Sequence, residues 1–260
     1  MDGMPKILYK YRDWKDGYHQ RLLKEKELFL ASAGQFNDPF DISLPYRFPQ
    51  KDLTPENVFL KLYQTAKEMH PEYSDEQLHQ MSYERQQSGV FENGQYWKEN
   101  YPYFKAKMHA IIGVASFTTK KNNLLMWSHY ADSHKGFCLG LDSELMLHTV
   151  AGMLSKVVYM NKFPEIPLFG DSFTNMIQIL TSKSQHWKYE EEYRLTKVNG
   201  AKSTIILPDE AYKEIILGLN MTEEHREEII QLVKPKFPNM KIYQSQMNED
   251  EFKLDIIPIL

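Results

Sequence analysis

"LLMWSHYADSHKGFCLGLD", residues 124–142, joins a helical pattern to an apolar strand across a polar turn, and that junction decides the class of the fold. "LLMWSHYAD" has the texture of a short helix, while "GFCLGLD" is an uninterrupted apolar run of strand length bounded by turn signals. The same mixture continues on both sides. "KILYKYR" (6–12) alternates apolar and polar positions with aromatics, which predicts a strand. Asp16 can cap a helix in "GYHQRLLKEKE", and "LFLAS" (28–32) follows as a second strand.

"GQFNDPFD" (34–41) reads as a structured corner. Asn37 and Asp38 before Pro39 favour a turn, with Phe36 and Phe40 pinning it to the core. Residues 54–112 read as helical: Thr54 caps, Pro55 takes the first helical position, Ser74 with Gln77 forms a capping box, and a third helix lies around 101–112. Strand texture returns in "IIGVASFTT" (111–119) and "SKVVYM" (155–160), separated by a helix, "ELMLHTVAG", capped by Ser143. Asp171 caps a further helix, and "EEYRLTKV" (191–198) with "STIILP" (203–208) predicts a hairpin over Asn199–Gly200. The tail, "EIILGL", a helix capped by Thr222, "MKIYQSQ" and "FKLDIIPIL", has a βαβ texture. The expected fold is therefore α+β: one domain over 1–260 with a mixed, mainly antiparallel central sheet and a helical insertion at 54–112.

A hydrophobic share of 42% and a charged share of 25% suit a globular chain, and a net charge of −4 gives no overall positive field to draw in nucleic acid. Cys138 is the only cysteine, so neither an intrachain disulfide nor a cysteine-built zinc site can form, and its apolar strand makes it a core residue. The start lacks the pattern of a secretory leader, and no apolar run approaches the roughly 18 residues of a membrane span. The expectation is a cytoplasmic, soluble protein with no membrane partner.

Within "WSHYADSHKG" three readings compete. His129, Asp132 and His134 could begin a metal site, but His-x4-His does not place two imidazoles on one helical face and no further ligand is evident. His129 and Asp132 could brace the turn that ends at Gly136. Alternatively Trp127, His129 and Tyr130 could line a ligand pocket with aromatic faces and polar tips. In "HWKYEEEYRL" (186–195), a strand from residue 190 would put Glu190, Glu192 and Arg194 on one face, with the two carboxylates about 7 Å apart, and Tyr193 and Leu195 on the core side. Such a pair could act together on one ligand, or form a solvated face in which Arg194 pairs Glu192. Arg12 could fork onto a phosphate or carboxylate, or stand as an exposed cation. Ser116 and Thr118 share a face near a polar strand end and could position a ribose or simply finish the sheet. The common phosphate-cradling loops and the Gly-x-Ser-x-Gly elbow are absent.

The ordered set "LYKYR", "LFLASAGQFNDPFD", "SFT…LLMWSHYADSHKGFCLGLD", "VVY" and "HWKYEEEYR" resembles a bacterial family known only as domain of unknown function 2971, over nearly the full chain. More distantly, the chain resembles ADP-ribosyltransferases of the Arg–Ser–Glu type. These have an Arg on the first strand, a Ser/Thr-rich strand mid-chain and a Gln/Glu-x-Glu at the head of a later strand. Here the order is Arg12, then Ser116–Phe117–Thr118, then Glu190–Glu191–Glu192, with the opening strand–helix–strand also similar. The middle element departs from Ser-Thr-Ser, and Tyr9 or Lys10 stands as an alternative to Arg12.

The resemblance implies NAD as co-substrate, no metal, and a protein or nucleic-acid acceptor, as in a toxin or phage-defence effector. It implies that Arg12 holds the pyrophosphate and that Ser116 or Thr118 supports the nicotinamide ribose. Glu192 would stabilise the oxocarbenium-like transition state, and Glu190 would orient the acceptor. Two other classes remain: a non-catalytic ligand-sensing or partner-binding module on the same scaffold, and a metal-dependent nuclease or hydrolase using His129, Asp132, His134 and the Glu190/Glu192 pair.

Overall fold

The helices begin where short polar side chains can accept from first-turn amides. Asp16, Thr54, Ser74, Asp171 and Thr222 all do so, Ser74 in a complete capping box with Gln77. The computed structural model describes residues 4–45, 47–91 and 94–259, without the side chains of 95–97. Its elements are β1 (Ile7–Arg12), α1 (Gly17–Lys24), β2 (Glu27–Ser32), α2 (Pro55–Met69), α3 (Asp75–Gln87), α4 (Gln95–Ile111), β3 (Ile112–Thr118), α5 (Leu124–Tyr130), β4 (Phe137–Asp142) and α6 (Ser143–Val150). They continue as β5 (Met153–Lys156), β6 (Val158–Met160), α7 (Ser172–Thr181), β7 (Ser182–Ser184), β8 (Glu192–Val198), β9 (Ser203–Ile206), β10 (Tyr212–Leu217), α8 (Glu223–Lys236), β11 (Lys241–Met247) and β12 (Leu254–Pro258).

The chain divides into two compact units. One gathers the residues up to Phe36, Ala110–Tyr159 and those from Gln185 onward; the other gathers Asn37–His109 and Met160–Ser184. The first unit is an α+β sheet structure in the order β12-β11-β10-β4-β1-β3-β2-β9, with β8 on β3 and β5 on β8. The sheet is mixed and mainly antiparallel: β10 and β11 run parallel across α8, and the other pairs are antiparallel. One face carries Leu8, Phe117, Leu139, Leu141 and Ile215 against Leu22 and Leu23 of α1, Met146 of α6 and Ile229 of α8. Each such side chain contributes about 1.5–3 kcal/mol on burial. The other face carries Tyr9, Tyr11, Cys138 and Ile216 against Trp127 of α5.

Several local readings change. The hairpin expected between 191–198 and 203–208 does not form, because β8 pairs β3 while β9 pairs β2. The linking turn crosses over the start of β3, where the amides of Gly200 and Ala201 donate to the Ile111 carbonyl, so β9 lands beyond β3. Asp142, not Ser143, caps α6, accepting from the amides of Glu144 and Leu145, while the Ser143 hydroxyl bonds back to Pro5. The strand expected at 155–160 breaks at Val157, whose amide donates to the Glu192 carbonyl.

The second unit holds the helices expected within 54–112, and adds segments 37–53 and 160–184, with α7 and β7. α2 and α3 pack through Phe59, Tyr63 and His79. The Asn-Asp-Pro-Phe corner is an Asx turn in which the Phe40 amide donates to Asp38 Oδ1 at 2.9 Å. Phe40 itself is more than half exposed, 6.0 Å from Phe163, rather than driven into a core. Among the described residues no helix is long and apolar enough to cross a membrane.

Candidate functional site

β3 is the strand from which the site is built. β8 pairs it along its whole length, from Ile112 opposite Val198 to Thr118 opposite Glu192. β1 and β2 must then share the other edge. β1 meets it only at Thr118 opposite Tyr9, and β2 only at Val114 and Gly113. Both strands peel away over residues 115–117, and the sheet forks. An unpaired strand carbonyl there needs a donor, and Lys10 Nζ supplies it, bonding Ser116 O at 2.7 Å with its ammonium 4.9 Å from the Phe117 ring centre.

A cavity of about 360 Å3 opens beside β1, α1 and β2, lined by Lys10, Arg12, His19, Arg21, Leu28 and Gln35 among others. Lys10 and Arg12 share a face of β1 by strand alternation. Arg12 makes one long bond to its neighbour's carbonyl, 3.4 Å to Tyr11 O. Burial pushes the Lys10 amine well below the usual lysine range, and the Arg12 charge adds to this. Burial likewise pulls Arg12 down to about 10, partly opposed by Asp16. His19 is lowered by burial first and by the Arg12 charge second. Arg21 differs, since Glu25 and Glu27 pair it. Glu27, the one carboxylate among the cavity's lining residues, is paired with Arg21, so the basic groups Lys10, Arg12 and His19 are left to face an anionic ligand.

Tyr9 points to the opposite face from Arg12 and gives its hydroxyl to Glu214 Oε1 at 2.6 Å, with Lys121 on the same carboxylate. It is therefore not a spatial substitute for Arg12. The Glu190–Glu192 pair on one strand face does not form either. Glu190 ends a 3-10 turn, Glu191 takes a left-handed conformation (φ 42), and β8 starts only at Glu192. The three carboxylates diverge: Glu190 accepts from Tyr130 at 2.6 Å, Glu191 meets Lys120 and Thr119, and Glu192 accepts from Arg194 at 2.9 and 3.1 Å. Glu192 and Arg194 are 3% and 0% exposed, so this polar face is buried, not solvated. In register, Thr118 stands opposite Glu192 and Ser116 opposite Arg194. Thr118 is fully buried and accepts from the Lys120 amide.

α5 lies on the Tyr9/Tyr11 face. Trp127 is fully buried, edge-on to Tyr11 at 5.1 Å and donating to Lys121 O at 3.1 Å, so it belongs to the core rather than a pocket wall. His129 is exposed, 6.2 Å from the Tyr189 ring, and with Tyr130 stands on the Glu190 side, away from the Arg12 cavity. His129, Asp132 and His134 do not converge. Asp132 pairs Lys15 at 2.9 Å and His134 stacks on Trp127 at 6.2 Å. Among the described residues no three His, Cys, Asp or Glu side chains gather as a metal site would need.

The turn after α5 holds Asp132, Ser133 and His134 consecutively in the left-handed region (φ 44, 52 and 67), a conformation that costs about 1–2 kcal/mol per residue. It is held by Gly136 N to Ala131 O at 2.8 Å and by Asn220 N to His134 O at 2.9 Å. A Cβ at Gly136 would meet the Arg12 carbonyl oxygen at 2.1 Å. The opening stretch therefore seats the end of β1 that carries Arg12.

Arg194 and Lys10 are the residues whose weight sequence reasoning missed. Strand alternation puts Lys10 beside Arg12, and Glu-x-Arg puts Arg194 beside Glu192, so the pairings were visible but their burial was not.

Residues 126–195, from α5 into β8, match the model of a family described as a protein of unknown function (DUF2971). No curated protein and no solved structure matches the chain.

Proposed function

We propose that this chain, whose segment 126–195 is that of the DUF2971 family, is an ADP-ribosyltransferase-like protein that takes NAD as co-substrate and modifies a macromolecule. One observation carries the reading: three short motifs, far apart in sequence, lie on three neighbouring strands, with Thr118 of β3 between Tyr9 of β1 and Glu192 of β8. The cationic cavity beside Arg12 is a second support, since Arg12 and Lys10 fit a diphosphate. NAD would supply an ADP-ribosyl group whose transfer develops positive charge at the ribose, and a carboxylate aimed at that charge lowers the barrier. Glu192 is the candidate, provided Arg194 releases one of its oxygens. Incubation with labelled NAD and lysate should give label transfer or NAD cleavage, lost in Glu192→Gln. Absence of both from the folded wild-type chain sinks the enzyme reading.

A non-catalytic ligand-binding module on the same scaffold is favoured by the Glu192–Arg194 pair itself, because both carboxylate oxygens are already engaged. It predicts stabilisation by NAD without turnover. The metal-dependent reading loses its support, as its histidines and carboxylates point apart.

A further inference from the structure

The cavity's rim carries two aromatic side chains that no fold requirement explains. Tyr18, at the start of α1, is 82% exposed, and Phe29, on the outward face of β2 between buried Leu28 and Leu30, is 42% exposed. Both line the cavity whose floor holds Lys10 and Arg12. Among the described residues neither cation has a carboxylate within ion-pair distance, and each has donors to spare. Lys10 uses one of three ammonium hydrogens on Ser116 O, and Arg12 makes one long bond from a five-donor guanidinium. A cationic floor under exposed rings is the arrangement that recognises a phosphate joined to a flat base, because stacking serves any base and the charges serve the phosphates. Size narrows the ligand. At about 360 Å3 the cavity lies near the lower end of the range of roughly 300–1,000 Å3 seen for ligand pockets, enough for one nucleotide rather than a dinucleotide.

We propose that Tyr18 and Phe29 form a base-stacking rim and Lys10 a second diphosphate anchor beside Arg12, so that the cavity selects a nucleoside diphosphate unit over a bare anion. This deepens the NAD reading and rests on it for the orientation of the ligand.

Titration calorimetry of the full chain with ADP, inorganic pyrophosphate and adenosine tests the assignment. ADP should bind at least tenfold tighter than either fragment. Tyr18→Ala with Phe29→Ala, at two exposed positions and checked for an unchanged melting temperature, should weaken ADP about tenfold and leave pyrophosphate unchanged, while Arg12→Met and Lys10→Met should weaken both. The proposal is overturned if ADP binds no tighter than pyrophosphate, if the aromatic substitutions leave ADP affinity unchanged, or if neither ligand binds. Its failure is separable from that of the transferase reading. ADP binding without NAD turnover removes the transferase and keeps the rim, whereas NAD labelling with an unchanged KM in the aromatic variants removes the rim and keeps the transferase.

Discussion

Two charged clusters sit on strands that flank β3, and they differ in compensation. On β8, Glu192 and Arg194 are sealed from solvent and satisfy each other through two bonds. On β1, Lys10 and Arg12 border an open cavity, Lys10 held by one carbonyl and Arg12 by almost nothing. A sealed pair resists the loss of either member because the survivor is left as a buried lone charge. Unpaired cations at a cavity are the reverse: they weaken the fold slightly and keep their binding capacity for something else. The first cluster therefore reads out in stability and the second in affinity.

Substitutions can break that contrast. Arg194→Ala should cost about 3–5 kcal/mol in urea denaturation, since the buried Glu192 would lose the two bonds that Arg194 gives its carboxylate. Glu192→Gln with Arg194→Met should recover much of the loss, and a cost under about 1 kcal/mol for the single change would show that water reaches the pair. Gly136→Ala comes next, at about 1–3 kcal/mol, because the new methyl meets the Arg12 carbonyl within the backbone-packed turn. It should also weaken pyrophosphate binding by shifting the end of β1. Arg12→Met should change stability by no more than about 0.5 kcal/mol while lowering pyrophosphate affinity about tenfold. A large stability loss with unchanged affinity would reverse the roles of the two clusters.

Much of the sheet could be read in advance because the signals were local. Strand alternation in 6–12, the caps at Asp16, Thr54, Ser74, Asp171 and Thr222, and the βαβ tail each depend on residues a few positions apart. What was not legible depended on pairing between distant strands. Asn199–Gly200 has the chemistry of a tight hairpin, yet the competition of β8 for β3 and β9 for β2 decides otherwise. Glu190-Glu191-Glu192 looks periodic, and one left-handed residue sends its carboxylates to three different partners. Burial of Arg194 follows from what covers its face, which no window around it reports. Arg12, Thr118 and Glu192 do occupy neighbouring strands, but Thr118 and Glu192 stand in register with Tyr9, on the face opposite Arg12, which no local window reports. His129 and Trp127 drew attention by residue type, but Trp127 is core and His129 lies on the other face from the cavity.

The smallest expected effect sets the cavity against a residue outside it within a single measurement. His19 borders the cavity, and its proton affinity is lowered by burial and by the charges of Arg12 and Lys10, against the opposing pull of Asp16 and Asp13. His134, stacked on Trp127, is lowered by burial alone. For both residues the unfolded chain takes up a proton near the ordinary pKa of about 6.5, whereas the folded chain resists it until lower pH. Their contribution to stability is thus fully present above that value and is lost as pH falls through the window beneath it. An anion bound on Arg12 and Lys10 cancels part of the field at His19 and leaves His134 untouched. Pyrophosphate should therefore raise the His19 pKa in an NMR titration and bind more tightly as pH falls through it, with His134 unmoved as the internal control. Arg12→Met should raise the His19 pKa without ligand and blunt the response to it. Equal shifts at both histidines would mean that the anion acts on the whole fold and not at the cavity.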